Sequence, residues 1–250
     1  MAILIIFAAI ISSFFRALTP FASQYRAELE QHLSQVLGEP VLIQKMETGW
    51  YWFEPVIKLN DVTIATSDQS TLRAHRLIFG INLLSSLLHW QIQPGVLYID
   101  QIHFVVRQSK DHWSIDGLTS QNSKSVLFNF SSNSPLFSWF FAQQKLIFKN
   151  ISAELYLKDG TVIPIKQLDL LIVKHFGRYK LRGTLEIKRT HPTIFRILAD
   201  VAVNPTALNK TTGEVYFASH NFQASQWQAF FGEHRFQLLD GLINGKVWLS

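Results

Sequence analysis

The 250-residue chain is 48% hydrophobic and 16% charged, a composition that argues against intrinsic disorder and suffices to bury a sizeable core. Its net charge of +5 comes from basic residues that are dispersed singly, and this dispersal argues against nucleic-acid binding. The chain has no cysteine, which excludes disulfides, thiolate metal sites and cysteine nucleophiles.

An apolar segment at residues 2–22 predicts a membrane anchor. Residues 2–15 are apolar apart from two serines, and the apolar run resumes after Arg16. As a helix, residues 2–15 would span about 21 Å against roughly 30 Å of hydrocarbon, whereas a helix over residues 1–22 reaches about 33 Å. A cleaved signal peptide and a buried globular helix are the alternatives, but a basic flank and a clear cleavage site are missing. We therefore expect a single transmembrane signal anchor over residues 1–22.

Two helices are predicted after the anchor. Over residues 23–37 apolar side chains recur at three-to-four spacing with charged residues between them, and Gly38 and Pro40 end the pattern. This spacing indicates an amphipathic helix. Over residues 82–90 four leucines recur before the break at Pro94, which favours a second, short helix.

Most of the remaining chain alternates apolar and polar residues as strands do, but with a recurring defect. Four segments have the form apolar, any, apolar, polar, polar, apolar, any, apolar, with Asp, Gln or Asn at the fifth place. They are residues 57–64, 97–104, 146–153 and 163–170. The extra polar residue would turn the apolar set to the other face unless a bulge absorbs it. The repeat therefore predicts strands that bend at a fixed point in an elongated, curved, antiparallel sheet with an open groove. An ordinary β-sandwich with hairpins at the polar pairs is the alternative.

A Ser- and Asn-rich stretch at residues 119–134 predicts a loop that divides the body of the protein. Before it, residues 23–118 form a predicted membrane-proximal module of a helix and β-strands. After it, residues 135–250 continue the β-groove region. A strand-like run at residues 241–250 has no cap or polar tail after it, so we expect this region to be incomplete, with the chain truncated at its C-terminus.

The search for chemistry finds no segment with the spacing of a catalytic, metal or cofactor motif. We therefore expect no enzyme activity, no metal and no cofactor. The aromatic cluster Trp50, Tyr51, Trp52 and Phe53 predicts an interfacial belt at a membrane surface, with core packing as the alternative. The chain's 20 Phe and 7 Trp leave apolar surface after a core is filled, and an apolar ligand is a candidate to cover it.

The order of these elements resembles the start of the YhdP proteins in the AsmA-like family, which also includes TamB. The resemblance rests on residues 25–30, 37–41 and 59–62 after the anchor, and it continues through residues 113–117, 150–152, 167–170 and 241–249. It implies a Gram-negative envelope protein with its anchor in the inner membrane and its body in the periplasm. It also implies a long β-groove that conducts phospholipids between the inner and outer membranes, with other envelope proteins as candidate partners.

Alternation combined with the resemblance selects candidate groove-facing positions. Because the extra polar residue of each repeat can turn the apolar side chains to the other face, the strand face that lines the groove stays open. These positions are Ile57, Leu59, Ile99, Phe104, Phe148 and Leu155. A non-transporting scaffold or regulator of outer-membrane assembly is the alternative function, which a closed, dry core would favour. Two features depart from the family pattern: its members are several times longer, and basic residues usually precede the anchor.

Overall fold

The structure is a computed structural model that describes Ser13 and residues 25–37, 39–52, 54–65, 71–91, 93–108, 113–115, 142–158, 160–175, 177–188, 192–203, 212–223 and 242–249. The expected anchor at residues 1–22, apart from Ser13, lies outside these residues, as do Phe53 and the loop at 119–134. Neither helix in the described ranges combines the length and apolarity that a membrane crossing requires. The chain divides into two compact units, residues 1–102 with 117–125 and residues 103–116 with 126–250.

The described part of the chain is mainly β, as predicted. Its elements are α1 (Arg26–Leu37), β1 (Val41–Tyr51), β2 (Glu54–Ala65), β3 (Thr71–Ile81), α2 (Leu83–His89), β4 (Pro94–Gln108), β5 (Trp113–Ile115), β6 (Lys145–Tyr156), β7 (Val162–His175), β8 (Arg178–Ile187), β9 (Thr193–Ala202), β10 (Thr212–Gln223) and β11 (Leu242–Leu249). Both predicted helices are confirmed, and α1 is described from Arg26 onward.

The first unit contains β1, β2 and β3 in sheet order, followed by the first half of β4. The pairs β1–β2 and β2–β3 are antiparallel. Its core consists of the buried residues Val41, Ile43, Leu59, Val62 and Ala74. Leu29 and Leu33 of α1 pack against this core, so the amphipathic helix covers part of the apolar face of the sheet.

The second unit begins with the remainder of β4, residues 103–108, and continues in the sheet order β6, β7, β8, β9, β10, β11, with the short β5 beside β4. Neighbours from β6 to β11 pair antiparallel. Among the described strands β11 pairs with β10 alone, so the sheet of this unit is open at β11.

The polar pairs of the repeats lie inside strands, at a backbone irregularity. Asp61, Gln101 and Asn150 occupy the fifth place of the first three copies, and their φ angles are 51°, 53° and 51°. A left-handed residue within a strand is typical of a bulge, and Asp and Asn tolerate this conformation better than most residues. The hairpin interpretation of these pairs is therefore wrong, and an irregularity at a fixed place in the strand is confirmed.

Strand register shows how the extra residue is absorbed in the second unit. Between β6 and β7 the register shifts between Phe148 and Ile151, and between β7 and β8 it shifts between Ile165 and Gln167. In each case two residues of one strand oppose one residue of its neighbour. The apolar residues on either side of the polar pair consequently stay on one face of the sheet.

Candidate hydrophobic ligand site

Strand register brings apolar residues of β7 to β10 into rows across one face of the second unit. Leu170 lies opposite Gly183, Gly183 opposite Ile197, and Ile197 opposite Phe217. Directly opposed residues in antiparallel strands share a face of the sheet. These four residues therefore form one continuous row across four strands.

A cavity of about 570 Å³ lies on this face. Its lining residues are Leu168, Leu170, Gly183, Thr184, Leu185, Phe195, Ile197, Phe217, Ser219 and Phe222. Thr184 and Ser219 are the polar members of this lining, and none of the lining residues is charged. The volume falls in the range of roughly 300–1,000 Å³ that is usual for small-ligand pockets.

Gly183 lies near the middle of the cavity, where two neighbouring side chains come close to its backbone. A Cβ atom added at Gly183 would lie 2.8 Å from Ile197 Cγ2 and 3.1 Å from Leu170 Cδ1. A larger residue would therefore displace at least one of these side chains. The absence of a side chain at Gly183 thus lets Ile197 and Leu170 approach the sheet closely.

Three phenylalanines form the wall of the cavity on the β9 and β10 side. The Phe195 and Phe217 rings stack with centroids 5.5 Å apart, and Phe195 meets Phe222 edge-on at 5.9 Å. Phe222 follows the polar pair His220 and Asn221, and Asn221 is left-handed with φ of 54°. The bulge at Asn221 absorbs one residue, which is why Phe222 returns to the cavity face after Ser219.

The opposite face of the same strands carries exposed ion pairs. Lys166 Nζ lies 2.7 Å from Glu186 Oε1, and Arg178 Nε lies 2.6 Å from Asp200 Oδ1. Such pairs contribute little stability because both partners are solvated. Their position shows that apolar and charged side chains are segregated to the two faces of this sheet. Leu198, which is 45% exposed, is an apolar exception on the charged face.

The apolar face is closely packed beside the cavity. Leu157, Ile163 and Ile187 are buried there with Phe195, and the half-buried Leu155 and Leu185 pack against them. Phe195 and Leu185 belong both to this cluster and to the cavity lining. The cavity therefore adjoins a rigid apolar cluster.

Three of the six groove candidates belong to the second unit and lie on the cavity face. Half-buried Phe148 is directly opposite Leu170, a cavity residue, and Leu155 packs against the buried cluster. Phe104 is half-buried in β4 next to His103, whose Nδ1 lies 2.9 Å from Ser152 Oγ. Ser152 is on the opposite face from Phe148 and Ile151, so Phe104 shares the face of Phe148.

The other three candidates belong to the first unit. Leu59 is buried in the core of that unit, and Ile57 packs against the same core. Ile99 is half-buried in β4. None of these three lines the cavity on β7 to β10. Their assignment to a groove stays a prediction.

The predicted interfacial aromatics lie at the β1–β2 turn. Trp50 and Trp52 are exposed, and Tyr51 is half-buried. Phe53 lies outside the described residues. The exposure of both tryptophans separates them from the core of the first unit.

None of the six predicted groove positions is among the residues that line the cavity. Gly183, Phe195, Ile197, Phe217 and Phe222 were absent from the predicted groove positions, although β9 and β10 alternate visibly in the sequence. Residues 217–224 resemble a further copy of the strand repeat, but Ser219 occupies a place that is apolar in the four predicted copies. A search that tolerated this serine could have found Phe217 and Phe222.

Two titratable groups of the first unit have perturbed pKa values, and neither lines the cavity. Burial raises the pKa of the Tyr98 phenol, and the negative charge of Asp100 raises it further. The hydrogen bond from Lys45 holds the pKa of the exposed Glu47 carboxyl below its usual value. In the described ranges no group of three or more His, Cys, Asp or Glu side chains could hold a metal ion. The cavity can offer apolar contact to a ligand.

The fold and the site define an open β-sheet protein with one apolar, cavity-bearing face and one charged face. Within this class the chain belongs to the YhdP family, because the model of that family, described as YhdP protein, matches residues 1–250. The chain is also similar to the Intermembrane phospholipid transporter YhdP of Escherichia coli (strain K12), with 26% identity over 103 residues. That match covers 41% of this chain and 8% of the relative. No solved structure matches the chain.

Family membership confirms the resemblance inferred from the order of sequence elements. It also confirms the prediction that the chain is not an enzyme, because the named relative is a transporter. The matched stretch is a small fraction of that relative's length.

Proposed function

We propose that this chain is the membrane-proximal, N-terminal part of a protein that conducts phospholipids between the inner and outer membranes of a Gram-negative envelope. Residues 1–22 anchor it in the inner membrane, and the β-sheet units lie in the periplasm. The observation that carries this proposal is the uncharged apolar cavity on β7 to β10. The name of the Escherichia coli relative, an intermembrane phospholipid transporter, supports the same class of cargo.

The segregation of side chains suits a hydrocarbon cargo. Removing a hydrocarbon chain from water is favourable by about 0.8 kcal/mol for each CH₂ group, so a sheet face must shield many of these groups to hold an acyl chain. The cavity face provides leucine, isoleucine and phenylalanine side chains, while the ion pairs of Lys166 and Arg178 lie on the other face. An open sheet leaves room for a polar headgroup to stay in water.

The six predicted groove positions are divided between the two units, and we expect them to differ in their contact with lipid. Phe104, Phe148 and Leu155 extend the lipid-facing wall beyond the cavity in the second unit. Ile57 and Leu59 belong to the core of the first unit, where α1 already covers part of the surface, and Ile99 is half-buried in β4. We therefore expect direct lipid contact to be stronger at Phe104, Phe148 and Leu155 of the second unit.

Site-specific photo-crosslinking at two adjacent residues tests the proposal. A diazirine amino acid replaces Ile197 in one variant of the full chain and Leu198 in the other. Ile197 lines the cavity, whereas Leu198 lies on the charged face and is exposed. The variants are irradiated in cell membranes, extracted in mild detergent and analysed by mass spectrometry. We expect phospholipid adducts at Ile197 and few at Leu198.

Exposure to detergent or bulk lipid cannot produce this pattern, because the control residue is itself apolar and exposed. Equal labelling at the two positions would show non-specific contact and overturn the proposal. A folded Ile197 variant without phospholipid adducts would favour the alternative, a scaffold or regulator of outer-membrane assembly that carries no lipid.

A further inference from the structure

Helix α2 of the first unit exposes three of its four leucines, Leu83 being half-buried, and directs its serines inward. Leu84 and Leu88 are each 71% exposed, and Leu87 is exposed as well. Ser85 and Ser86 are half-buried, and no residue of the helix is fully buried. A helix on a globular surface normally has the reverse arrangement. The apolar side of α2 therefore faces away from the protein that supports it.

Polar contacts hold this orientation in place. The Asn82 side chain accepts a hydrogen bond from Ser85 N at 2.8 Å and caps the helix. Ser86 Oγ donates to Asn82 O at 2.6 Å and accepts from Gln93 N at 2.8 Å. Trp90 ends the helix in a left-handed conformation, with its N–H bonded to Ser86 O. These contacts at both ends indicate that α2 is preformed with its leucines outward.

The β1–β2 turn lies at the same end of the first unit as α2. Glu54, at the start of β2, reaches the ends of β3 and β4, since a Cβ atom at Gly95 would lie 2.6 Å from Glu54 Oε2 and 2.9 Å from Asn82 N. Trp52, in the turn just before Glu54, is 82% exposed, and Trp90, just after α2, is 88% exposed. Two exposed tryptophans thus accompany the exposed leucines at one end of the unit.

The direction of α1 places the start of the described chain toward this end. Arg26 Nη1 donates to Gln44 O at 3.1 Å, whereas Ser34 Oγ, two turns later, accepts from Val41 N at 2.9 Å. Helix α1 therefore runs antiparallel to β1. Tyr25, just before α1, consequently lies toward the end of β1 that carries Trp50. The 24 residues before Tyr25 include the apolar run predicted to be the anchor.

We propose that Trp52, Leu84, Leu88 and Trp90, here called the α2 patch, insert into the interfacial layer of the lipid bilayer that holds the anchor. Tryptophan prefers the bilayer interface, where its ring meets hydrocarbon and its N–H meets water. Leucines on a short surface helix lie in the same layer. The proposal shares the anchor with the proposed function but does not depend on lipid in the β7–β10 cavity.

A bilayer explains the patch better than a protein partner does. The patch combines a turn, a short helix and its cap, all at one end of the unit, and its large members are leucine and tryptophan. The anchor proposed within the residues before Tyr25 would bring a membrane to the same end. Insertion would fix the first unit against the membrane surface, which a single flexible attachment could not do.

Labelling at single introduced cysteines tests the insertion, because the chain has no native cysteine. The full chain with Leu88→Cys carries the dye NBD and is reconstituted in vesicles of phosphatidylethanolamine and phosphatidylglycerol. Leu42→Cys is the matched control, since Leu42 is a similarly exposed leucine of the same unit, at the start of β1. Lipids with brominated acyl chains then quench NBD where it contacts hydrocarbon.

We expect brominated lipid to remove about half of the NBD emission at position 88 and to leave position 42 unchanged, as interfacial burial of α2 requires. Leu84→Cys should behave like Leu88→Cys, which guards against a local effect of one label. Absence of quenching at both α2 positions in vesicle-bound chain, or a chain that does not float with vesicles, would overturn the proposal. A third outcome would also overturn the proposal. If NBD at position 88 were shielded from water in native membranes but exposed to water in vesicles that contain no other protein, a protein partner would cover the patch.

The test is separable from the test of lipid conduction. Phospholipid adducts at Ile197 without quenching at position 88 would sustain the conduit and reject the patch. Quenching at position 88 without adducts at Ile197 would sustain the patch and reject the conduit.

Discussion

At the scale of single residues, left-handed backbone inside strands sets the direction of the apolar side chains. Asp61, Gln101, Asn150 and Asn221 have φ angles between 51° and 54°. This conformation costs an ordinary L-residue roughly 1–2 kcal/mol. Hydrogen bonds to the neighbouring strand offset part of that cost, as when Asn150 N donates to Asp169 Oδ1 at 2.7 Å. The polar pair in the repeat therefore indicates a left-handed backbone position, more than exposure of that position to solvent.

Substitution of Asn150 should expose the cost of this backbone. We expect Asn150→Val to lower the free energy of unfolding by about 1–2 kcal/mol, because a β-branched residue is poorly tolerated at positive φ. Asn150→Gly should be close to neutral. Urea unfolding of the full chain measures both. Lys149→Val changes the adjacent exposed position, which is not left-handed, and should cost much less. An equal loss at the two positions would contradict the explanation.

Tyr98 gives a pH-dependent prediction. Its hydroxyl donates to Asp100 Oδ2 at 3.2 Å, and burial raises the pKa of the phenol in the folded state. A raised folded-state pKa stabilises the fold below the unfolded value of about 10 and loses that contribution as the pH rises through the folded value. Tyr98→Phe should therefore be less stable than the native chain near pH 8, by about 1 kcal/mol.

The stability difference between the native chain and Tyr98→Phe should shrink above about pH 10. Chemical unfolding at pH 8 and pH 11 measures it. Tyr25→Phe, at an exposed tyrosine, serves as the control. A Tyr98→Phe difference that stayed constant over this range would show that the phenol does not couple ionisation to folding.

At the scale of elements, α1 protects the free edge of β1. Glu30 Oε1 accepts a hydrogen bond from Ile43 N at 2.7 Å, and Ser34 Oγ accepts one from Val41 N at 2.9 Å. Unpaired edge backbone attracts further strands, and a covering helix is one way to prevent this. The amphipathic helix thus covers both the apolar face and part of the edge of the first unit.

Removing the carboxylate of Glu30 should weaken this arrangement. We expect Glu30→Ala to destabilise the first unit by about 1.5–3 kcal/mol, the usual range for a hydrogen bond to a charged group. Hydrogen exchange at the Ile43 amide, which loses its acceptor, is the direct measurement. Gln31→Ala alters the next, exposed residue of the same helix. If exchange at Ile43 rose equally in both variants, general helix weakening would be the cause.

Periodicity predicted which elements form, but it could not predict how they pair. The three-to-four spacing located α1 and α2, and the extra polar residue that interrupts the alternation located the irregularity at Asp61 and Asn150. The alignment of Leu170, Gly183 and Ile197 depends on hairpin registers that no local pattern encodes. That is why the predicted groove positions, Phe148 among them, include none of the cavity lining. The outward orientation of α2 also depends on contacts beyond its own sequence, such as that of Ser86 with Gln93.

At the scale of the whole molecule, the second unit presents an apolar face that ends at an unprotected strand. The large apolar residues of β11 are all exposed, namely Leu242, Ile243, Val247, Trp248 and Leu249. Among the described strands β11 has a neighbour on one side alone. An exposed apolar edge strand is a site for pairing with another chain. Within the described strands this edge is therefore available to a further strand.

Self-association through β11 should follow when the chain is studied by itself. We expect concentration-dependent oligomers in mild detergent, and Val247→Lys should raise their dissociation constant by about tenfold, or roughly 1.4 kcal/mol. Analytical ultracentrifugation measures this change. Leu198→Lys introduces the same charge at an exposed leucine of β9, an interior strand, and should have little effect. Equal effects would assign the association to general surface hydrophobicity.

Because the described sheet is open at β11, the length of its apolar face can change independently of the cavity on β7 to β10. Each strand added beyond β11 would lengthen the apolar face by about 4.8 Å, the distance between neighbouring strands. The cavity between β7 and β10 would keep its lining, because its contacts are with its own neighbours. Duplication of hairpins could thus lengthen the apolar face of such a protein without any change in the residues that line this cavity.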